Sequence, residues 1–513
     1  MEYFILTSKI ILTSVYAVTL IFLCVFGLHR YYLSYLYTKN KDKKPSPKEK
    51  YKTLPAVTVQ LPIYNEMYVV ERLISSVCRI DYPGDLLEIQ VLDDSTDNTT
   101  EIAARCVRGY KEQGLNIHYI HRGNREGFKA GALREGLKTV GGELIAVFDA
   151  DFIPPEDFLK KTVDYFSDPE IGMVQVRWGH VNLDFSTLTK AQSILLDGHF
   201  MIEQTSRFNS GMFFNFNGTA GVLRKECIET SGGWQHDTLT EDLDLSYRAQ
   251  LAGWKLIYLK DLIADAELPV DMNAFKSQQH RWAKGGVQTA LKILPQIFRR
   301  KNLPLKIKSE AFFHLFGNIS YLLLLILFLL MFPVGLFWND LVWESGVVLS
   351  IFALAAGTLS FVLFYILTVR EARGKSWRAY IKYVPLAISI GAGMAVNNSK
   401  AVLEALMAKN SEFRRTPKFA VTLKGESWRS SSYITSKDAT AVIELAIGAV
   451  FLLETFLAIY LGYFGWVPFL IFIQFGFFYT GLLSIFHGSG KKGAAAGIGS
   501  IIPEPALQRE KEY

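Results

Sequence analysis

Residues 143–152 read ELIAVFDADF, an apolar run that ends in two carboxylates, Asp149 and Asp151. The run at 143–148 has the length and composition of a buried β-strand. Three similar runs precede it, and the gaps between the runs have the pattern of helices. The predicted strands are 56–61, 88–92, 116–120 and 143–148, and the predicted helices are 67–80, 98–113 and 128–140. Strand–helix alternation at this spacing predicts βαβ units and a mostly parallel sheet, and therefore an α/β fold.

Polar side chains follow each predicted strand. They are Tyr64, Asn65 and Glu66 after the first strand, Asp93 and Asp94 after the second, His121 and Arg122 after the third, and Asp149 and Asp151 after the fourth, with Lys129 opening the helix that precedes the fourth. One polar strand end alone is typical of a turn or a helix cap. Ligands of open α/β sheets bind beyond the carboxyl ends of the strands. Four polar ends at one edge therefore predict a binding site.

Asp149 and Asp151 place two hard oxygen ligands two positions apart. Such ligands suit Mg²⁺ or Mn²⁺, and Mg²⁺ commonly takes one or two protein carboxylates together with substrate phosphates. A cation there would neutralise charge on a departing diphosphate. Lys129 offers a further positive charge for phosphates, and the alternative is a solvated lysine at a helix terminus.

Asp93 and Asp94 precede a predicted helix, and two interpretations stay open for them. Either they cap the N-terminus of that helix, or one of them hydrogen-bonds a nucleotide base. In the second interpretation, Tyr64 offers an aromatic face on which the base stacks.

Thr240, Glu241 and Asp242 precede an amphipathic helix that ends near Gly253. The local pattern is typical of a threonine cap followed by two acids that favour the helix dipole. The alternative makes Asp242 a general base that takes the proton from an attacking hydroxyl. A helix N-terminus lowers the pKa of a carboxyl group, so a base at this position needs burial or neighbouring acids to raise its pKa again.

Gln278, Arg281 and Trp282 are spaced i, i+3 and i+4, which puts them on one face of a helix. An indole can stack on a sugar ring, and a guanidinium can hold a diphosphate or a carboxylate. The alternative is an interfacial tryptophan beside a surface arginine near a membrane.

The distribution of apolar residues predicts a membrane protein. Five runs are long enough to cross a hydrocarbon core of about 30 Å; they are 10–37, 312–337, 345–369, 439–462 and 466–486. Basic residues flank the globular part on both sides, which places that part in the cytosol, with the N-terminus outside and the C-terminus inside. The segment 383–409 lies between two basic flanks and is predicted to be a surface-lying or re-entrant helix.

These boundaries divide the chain of 513 residues. The predicted division is an N-terminal anchor at 1–38, a basic linker at 39–54, a globular domain at 55–298, a basic membrane-proximal segment at 299–311, a membrane region at 312–486 and a flexible tail at 487–513. The basic flanks explain the net charge of +6. Nothing in the sequence is typical of a nucleic-acid-binding patch.

Taken in order, several phrases make residues 55–300 similar to the inverting family-2 glycosyltransferases. Within that family, the sequence most resembles cellulose synthases and the plant cellulose-synthase-like A and C proteins. The phrases are VQLPIYNE, IQVLDDSTD, NREGFKAGAL, FDADF, VQVRW, FNGTAG, GGW, TEDLDLSYRAQLAGW and QQHRW. In the membrane half, RTPKFAVTLKG (415–425) resembles the gating loop that closes over the donor in cellulose synthases.

The resemblance implies a fold of the GT-A nucleotide-sugar transferase type and a role for each matched residue. Tyr64, Glu66, Asp93, Asp94, Lys129 and Asp149 would bind the nucleotide sugar. Asp149 and Asp151 would hold the metal. Asp242 would be the catalytic base, and Phe216, Asn217, Gly218, Glu241, Gln278, Arg281 and Trp282 would line the acceptor end.

The function expected from this resemblance is transfer of a hexose from UDP-glucose or GDP-mannose to a growing β-linked polysaccharide, with processive synthesis and export through the spans. Two alternatives stay open. One is a non-processive glycolipid synthase whose acceptor is a membrane lipid, and the other is an inactive transferase-like scaffold or transporter.

Overall fold

A computed structural model gives the architecture. It describes residues 2–337, 353–409, 415–423, 425–429, 431–433 and 439–488. The beginning of the third predicted span and almost all of the predicted tail lie outside the described residues.

One seven-stranded sheet organises the globular part. Its strands are β1 (Val57–Ile63), β2 (Leu87–Asp93), β3 (Ile117–His121), β4 (Leu144–Val147), β5 (Ile171–His180), β6 (Gly221–Arg224) and β7 (Lys255–Ala266). The strand order is β3-β2-β1-β4-β6-β5-β7. β6 runs antiparallel to β4 and β5, whereas the other neighbouring strands pair in parallel. The predicted α/β fold with a mostly parallel sheet is confirmed.

Helices α2 (Val70–Cys78), α3 (Thr99–Glu112) and α4 (Phe128–Leu137) connect the first four strands, close to the predicted bounds. The buried rows of β1 and α2 belong to one apolar core. The register places Ile63, Asp93 and His121 side by side across β1, β2 and β3. The polar residues that follow these strands therefore meet at one edge, as the sequence predicts.

Further helices complete the globular part. They are α5 (Phe158–Thr162), α6 (Thr187–Asp197), α7 (Thr205–Asn209), α8 (Lys225–Thr230), α9 (Glu241–Leu251) and α10 (Met272–Arg299). A π-helical segment, Gly198–Gln204, joins α6 to α7. Helix α10 carries Gln278, Arg281 and Trp282, so the predicted helical placement of these residues is correct.

The apolar part of the chain is helical. It comprises α1 (Glu2–Asn40), α11 (Leu305–Phe316), α12 (Ile319–Phe337), α13 (Ser360–Arg373), α14 (Trp377–Tyr380), α15 (Val384–Gly393), α16 (Ala395–Leu406), α17 (Thr440–Tyr460) and α18 (Val467–His487). Among the described residues, four helical stretches are long and apolar enough to cross a membrane. The number reaches five if α11 and the first part of α12, which meet at a bend of 62°, form one span.

The predicted helix at 383–409 is two helices, α15 and α16, separated at Met394. Both have buried faces, and the buried residues of α16 include Asn397 and Asn398. Asn397 Nδ2 donates to the backbone carbonyl of Lys276 on α10 at 3.0 Å. Helix α16 therefore packs directly against the helix that carries the predicted acceptor residues.

Candidate active site

Lys129 occupies the centre of the polar edge. It is the second residue of α4, and its Nζ donates to Asp149 Oδ1 at 2.5 Å and to the carbonyl of Gly218 at 2.8 Å. Burial lowers the pKa of Lys129, but the nearby carboxylates of Asp149, Glu241 and Asp242 raise it by more than burial lowers it. The pKa of Lys129 therefore lies above its ordinary value. The alternative of a solvated helix-terminal lysine is therefore wrong.

Gly218 brings Asp242 next to this lysine. Its backbone has φ +80°, and a Cβ atom at this position would lie 2.9 Å from Asp242 Oδ2 and 3.4 Å from Lys129 Nζ. A left-handed conformation and this close approach both require glycine. The FNGTAG segment and the start of α9 thus both lie next to the ammonium group of Lys129.

Asp242 has the electrostatic properties that a general base needs. Burial, followed by the neighbouring Glu241, raises its pKa to about 7, although Lys129 and hydrogen bonds at the helix start lower it. Burial therefore outweighs the effect of the helix N-terminus. Thr240 does stand at the N-cap position, but its side chain forms no capping hydrogen bond. Its hydroxyl lies 3.2 Å from that of Thr289 on α10 instead, so the predicted threonine cap is wrong.

Arg281 joins the same cluster from α10. Burial lowers the pKa of its guanidinium, while the carboxylates of Glu241, Asp149, Asp242 and Asp151 raise it in that order. Helix α10 can approach because Gly285 faces Thr240, where a Cβ would come within 2.5 Å of Thr240 Cγ2. Gln278 and Trp282 are half-buried on the same helix. The position of Arg281 favours a role at the site over the alternative of a surface arginine.

Asp151 is paired with a residue from the predicted membrane region. Lys418 Nζ donates to Asp151 Oδ2 at 2.6 Å and to the backbone carbonyl of Glu267 at 3.1 Å. The carboxylate of Glu267 in turn accepts hydrogen bonds from the backbone N–H groups of Phe419 and Ala420, at 2.9 and 3.1 Å. The segment predicted to be a gating loop therefore lies on the polar edge.

Glu66 makes a second contact with that loop. Arg415 Nη1 lies 2.6 Å from Glu66 Oε2, and its guanidinium stacks over the Tyr433 ring at 4.2 Å. Burial raises the pKa of Glu66 to about 8, against the opposing effect of Arg415. The end of β1 thus faces the loop as well as the interior of the domain.

The two aspartates after β2 have different partners. Asp93 is fully buried, and its carboxylate accepts hydrogen bonds from Ser95 N at 2.9 Å and from the Tyr119 hydroxyl at 2.6 Å. Arg122 donates hydrogen bonds to both carboxylate oxygens of Asp94, from Nε to Oδ1 and from Nη2 to Oδ2. Helix α3 begins only at Thr99, so the alternative in which these aspartates cap a helix is wrong.

Tyr64 lies at the same edge, and one face of its ring is covered by a guanidinium. Arg125 Cζ stands 3.3 Å from the centre of the Tyr64 ring. A base that stacks on Tyr64 would therefore use the opposite face or displace Arg125.

The FNGTAG segment is fixed from several sides. Phe216 is fully buried, and its N–H donates to Ser246 Oγ at 2.9 Å. Asn217 N donates to Gln175 Oε1 at 2.8 Å. Thr219 Oγ1 accepts from the backbone N–H of Asp149 at 2.8 Å. The segment predicted to lie at the acceptor end thus contacts the strand end that carries the predicted metal ligands.

The donor set suits a metal that shares its ligands with a substrate. Among the described residues, no group of three or more His, Cys, Asp and Glu side chains is arranged to hold a metal ion. Asp149 and Asp151 nevertheless follow one strand, and the Asp149 side chain is 35% exposed. Two carboxylates fit a Mg²⁺ or Mn²⁺ ion that completes its coordination with diphosphate oxygens.

Sequence reasoning missed Glu267, Arg125 and the pairing of Lys418. Glu267 directly follows β7, which runs parallel to β5. It therefore lies at the same edge as the other polar strand ends, and the same strand-end argument would have found it. Arg125 and Lys418 lie in phrases that the resemblance quotes, but no local pattern reveals their partners.

The chain is similar in sequence to curated plant enzymes. A probable glucomannan 4-β-mannosyltransferase 10 of Arabidopsis thaliana is 38% identical over 334 residues, which cover 62% of this chain and 60% of that protein. Glucomannan 4-β-mannosyltransferase 2 of the same plant is 44% identical over 255 residues, 48% of either chain. The chain thus spans about half to three fifths of the length of the curated relatives it matches.

Among solved structures, the mannosyltransferase PcManGT from Pyrobaculum calidifontis in complex with GDP-Man and Mn²⁺ is 22% identical, with a TM-score of 0.49 over 77% of this chain and 100% of that one. The family model described as glycosyltransferase like family 2 matches residues 55–285. The resemblance inferred from the ordered motifs is confirmed over residues 55–285, which match the family-2 glycosyltransferases, and the mostly parallel seven-stranded sheet of the globular part has the expected GT-A architecture.

Proposed function

We propose that the chain is a membrane-bound inverting glycosyltransferase that transfers a hexose from a nucleotide sugar to a growing β-linked polysaccharide. The observation that carries the proposal is the convergence of Lys129, Asp149, Asp242 and Arg281 at the carboxyl edge of the sheet. They come from α4, the end of β4, α9 and α10, and together they offer a half-buried base beside cations that suit a diphosphate.

The proposed reaction is one displacement. Asp242 takes the proton of an acceptor hydroxyl, whose oxygen attacks the anomeric carbon of the donor sugar. The bond from that carbon to the diphosphate breaks, and the nucleoside diphosphate leaves with the electron pair. An α-linked donor then gives a β-linked product. Lys129 and Arg281 stabilise the leaving diphosphate, and a divalent cation held by Asp149 and Asp151 would neutralise further negative charge when bound.

The relatives named as glucomannan 4-β-mannosyltransferases support a mannosyl donor and a β-1,4-linked product. GDP-mannose is therefore the first donor to test, with UDP-glucose as the second. Nucleotide recognition is assigned to Tyr64, Glu66 and Asp94, which line the ends of β1 and β2.

Contacts between the site and the membrane half support a growing polymer as acceptor. Lys276 and Lys284 on α10 are almost fully buried, and they pair with Glu444 on α17 at 2.6 Å and Glu404 on α16 at 3.2 Å. The helix that carries Gln278 and Trp282 is therefore fixed to the apolar helices. We propose processive synthesis with export through the spans, with the transferase domain in the cytosol and the N-terminus outside.

The test uses the full chain in lipid nanodiscs with Mn²⁺ or Mg²⁺ and each donor in turn. Size analysis of the product distinguishes a polysaccharide from a lipid that carries a single sugar. A single-sugar lipid product would favour the glycolipid synthase. The absence of nucleotide release with every donor would support an inactive transferase-like scaffold.

The role of Asp242 is tested in the same preparation. Asp242→Asn keeps the size of the side chain but removes the base, so we expect the rate of transfer to fall by about 10²–10⁴-fold while donor affinity changes little. Asp85→Asn, an exposed aspartate in the turn before β2, is the control and should behave as the wild type. Normal turnover in Asp242→Asn would overturn the assignment.

A further inference from the structure

Asn217, next to the glycine that contacts Asp242, is held by two polar side chains from the π-helical segment Gly198–Gln204. Gln204 Nε2 donates to Asn217 Oδ1 at 2.8 Å. On the other side, Asn217 Nδ2 lies 3.0 Å from His199 Nε2. π-helical segments are rare in proteins, and those that occur often lie at functional sites.

A backbone carbonyl fixes the direction of these hydrogen bonds. Gln204 Nε2 also donates to the carbonyl oxygen of Asn215 at 2.8 Å, and a carbonyl can only accept. The amide nitrogen of Gln204 therefore faces Asn217 Oδ1, so Asn217 turns its own nitrogen toward His199. Two donors cannot share one hydrogen bond, so His199 Nε2 is the acceptor and the ring proton sits on Nδ1.

The proton on Nδ1 has an acceptor of its own. His199 Nδ1 lies 3.4 Å from Glu203 Oε2, one helical turn further along. Burial raises the pKa of Glu203, but Arg207, His199 and Arg30 together hold it well below its ordinary value. Glu203 is therefore ionised, and it accepts a hydrogen bond from the Nδ1–H group of His199. This hydrogen bond stabilises the tautomer that carries its proton on Nδ1.

The carboxylate is itself held by the N-terminal membrane helix. Arg30 of α1 lies 3.6 Å from Glu203 Oε1. Arg207 contacts Glu203 at 3.4 Å and donates to Glu310 at 2.8 Å, and Glu310 lies 2.7 Å from Nε2 of His29, again on α1. A continuous polar chain thus runs from α1 to Asn217, so α1 does more than anchor the protein.

We propose that His199 is a positioning residue for the acceptor: its neutral ring accepts from Asn217 and so fixes the side-chain amide that the acceptor sugar meets beside Asp242. The inference rests on the proposed function, since it assigns Asn217 to the acceptor end. We expect His199 to make no contribution to donor binding, because Gln204 and His199 contact neither Lys129 nor Asp149 in the part of the chain that the structure describes.

The test compares two substitutions of His199 in the full chain in nanodiscs. His199→Leu removes the acceptor atom, whereas His199→Gln can place its Oε1 near the position of Nε2 and accept from Asn217. Binding of β-1,4-mannohexaose is measured by calorimetry without donor, and the KM values for mannohexaose and for GDP-mannose are measured during turnover. His118→Leu, an exposed histidine on β3, is the matched control.

Loss of one hydrogen bond predicts about a tenfold weaker affinity and a tenfold higher KM for mannohexaose in His199→Leu, with the KM for GDP-mannose unchanged. His199→Gln should recover most of the affinity. Equal losses in both variants, a raised KM for GDP-mannose, or a wild type that does not bind mannohexaose would overturn the inference. If mannohexaose binding responds as expected but no sugar is transferred, the inference stands and the proposed function fails.

Discussion

The two carboxylates of the FDADF segment each pair with a lysine, but the two lysines have different origins. Asp149 pairs with Lys129 from α4, inside the transferase domain. Asp151 pairs with Lys418, which is 267 positions away in the loop that follows α16. One half of the site is thus built by the sheet and its own helices, and the other half is supplied by the membrane region.

The difference shows in how each half is held. Lys129 sits on a helix and touches Gly218 and Asp149 at once, so its position is fixed by the fold of the domain. Lys418 is held through a loop that contacts the domain by side chains: Glu267 accepts from the backbone N–H groups of Phe419 and Ala420, and Glu66 pairs with Arg415. We infer that the first half is permanent, whereas the second half can move when a donor enters.

The largest effect is expected from breaking the permanent half. Lys129→Met leaves Asp149, Glu241 and Asp242 without their central cation, and it removes a positive charge from the proposed diphosphate site. We expect kcat/KM to fall by about 10³-fold, and thermal unfolding to occur at a lower temperature. Lys138→Met is the control because Lys138, just after α4, forms an exposed pair with Glu135. A wild-type rate in Lys129→Met would show that the domain half does not hold the diphosphate.

Breaking the attachment of the loop should have a smaller effect. Glu267→Gln replaces one of the two oxygens that accept from Phe419 and Ala420 by an amide that repels an N–H group. We expect the KM for the donor to rise by about 30-fold and trypsin to cut the loop faster. Glu426→Gln is the matched control, because Glu426 accepts from two backbone N–H groups of the same loop at an exposed position. Equal effects in the two variants would contradict the role of Glu267.

The protonation of Asp242 gives a second test of the permanent half. Its pKa of about 7 predicts that the rate falls about fivefold from pH 7 to pH 6, as the base becomes protonated. Because the pKa of Asp242 is higher in the folded state than its ordinary value of about 4, folding favours the protonated form. The resulting stability is complete below about pH 4 and is lost as the pH rises to about 7. Asp242→Asn should remove this loss from the pH dependence of unfolding, and an unchanged dependence would argue against a raised pKa.

Local patterns predicted part of the domain half. The first four strands could be predicted from short apolar runs, and Asp149, Asp151 and Lys129 were singled out because they stand where strands or helices begin or end. Asp242 needed the structure, since a carboxylate at a helix start has a low pKa unless it is buried. Its burial depends on α10 approaching at Gly285, which no local pattern reveals.

The loop half was beyond prediction from residues alone. Glu267 and Phe419 are 152 positions apart, and Lys418 lies 267 positions from Asp151. Such contacts follow from how the membrane region packs on the domain, and pairing between distant segments leaves no periodic pattern in a single sequence. Only the resemblance of residues 415–425 to a gating loop pointed to this contact.

The smallest expected effect concerns competition at Asp151. The ammonium of Lys418 occupies Asp151 Oδ2, an oxygen that a divalent cation would also use. Lys418→Met frees this oxygen, so we expect Mn²⁺ to bind about threefold more tightly in the presence of a nucleoside diphosphate. Electron paramagnetic resonance of free Mn²⁺ measures this affinity without turnover. Lys138→Met, which removes an exposed lysine away from the site, should instead leave Mn²⁺ binding unchanged. Weaker Mn²⁺ binding in Lys418→Met would mean that the loop lysine helps to build the cation site, and the two halves would then act as one.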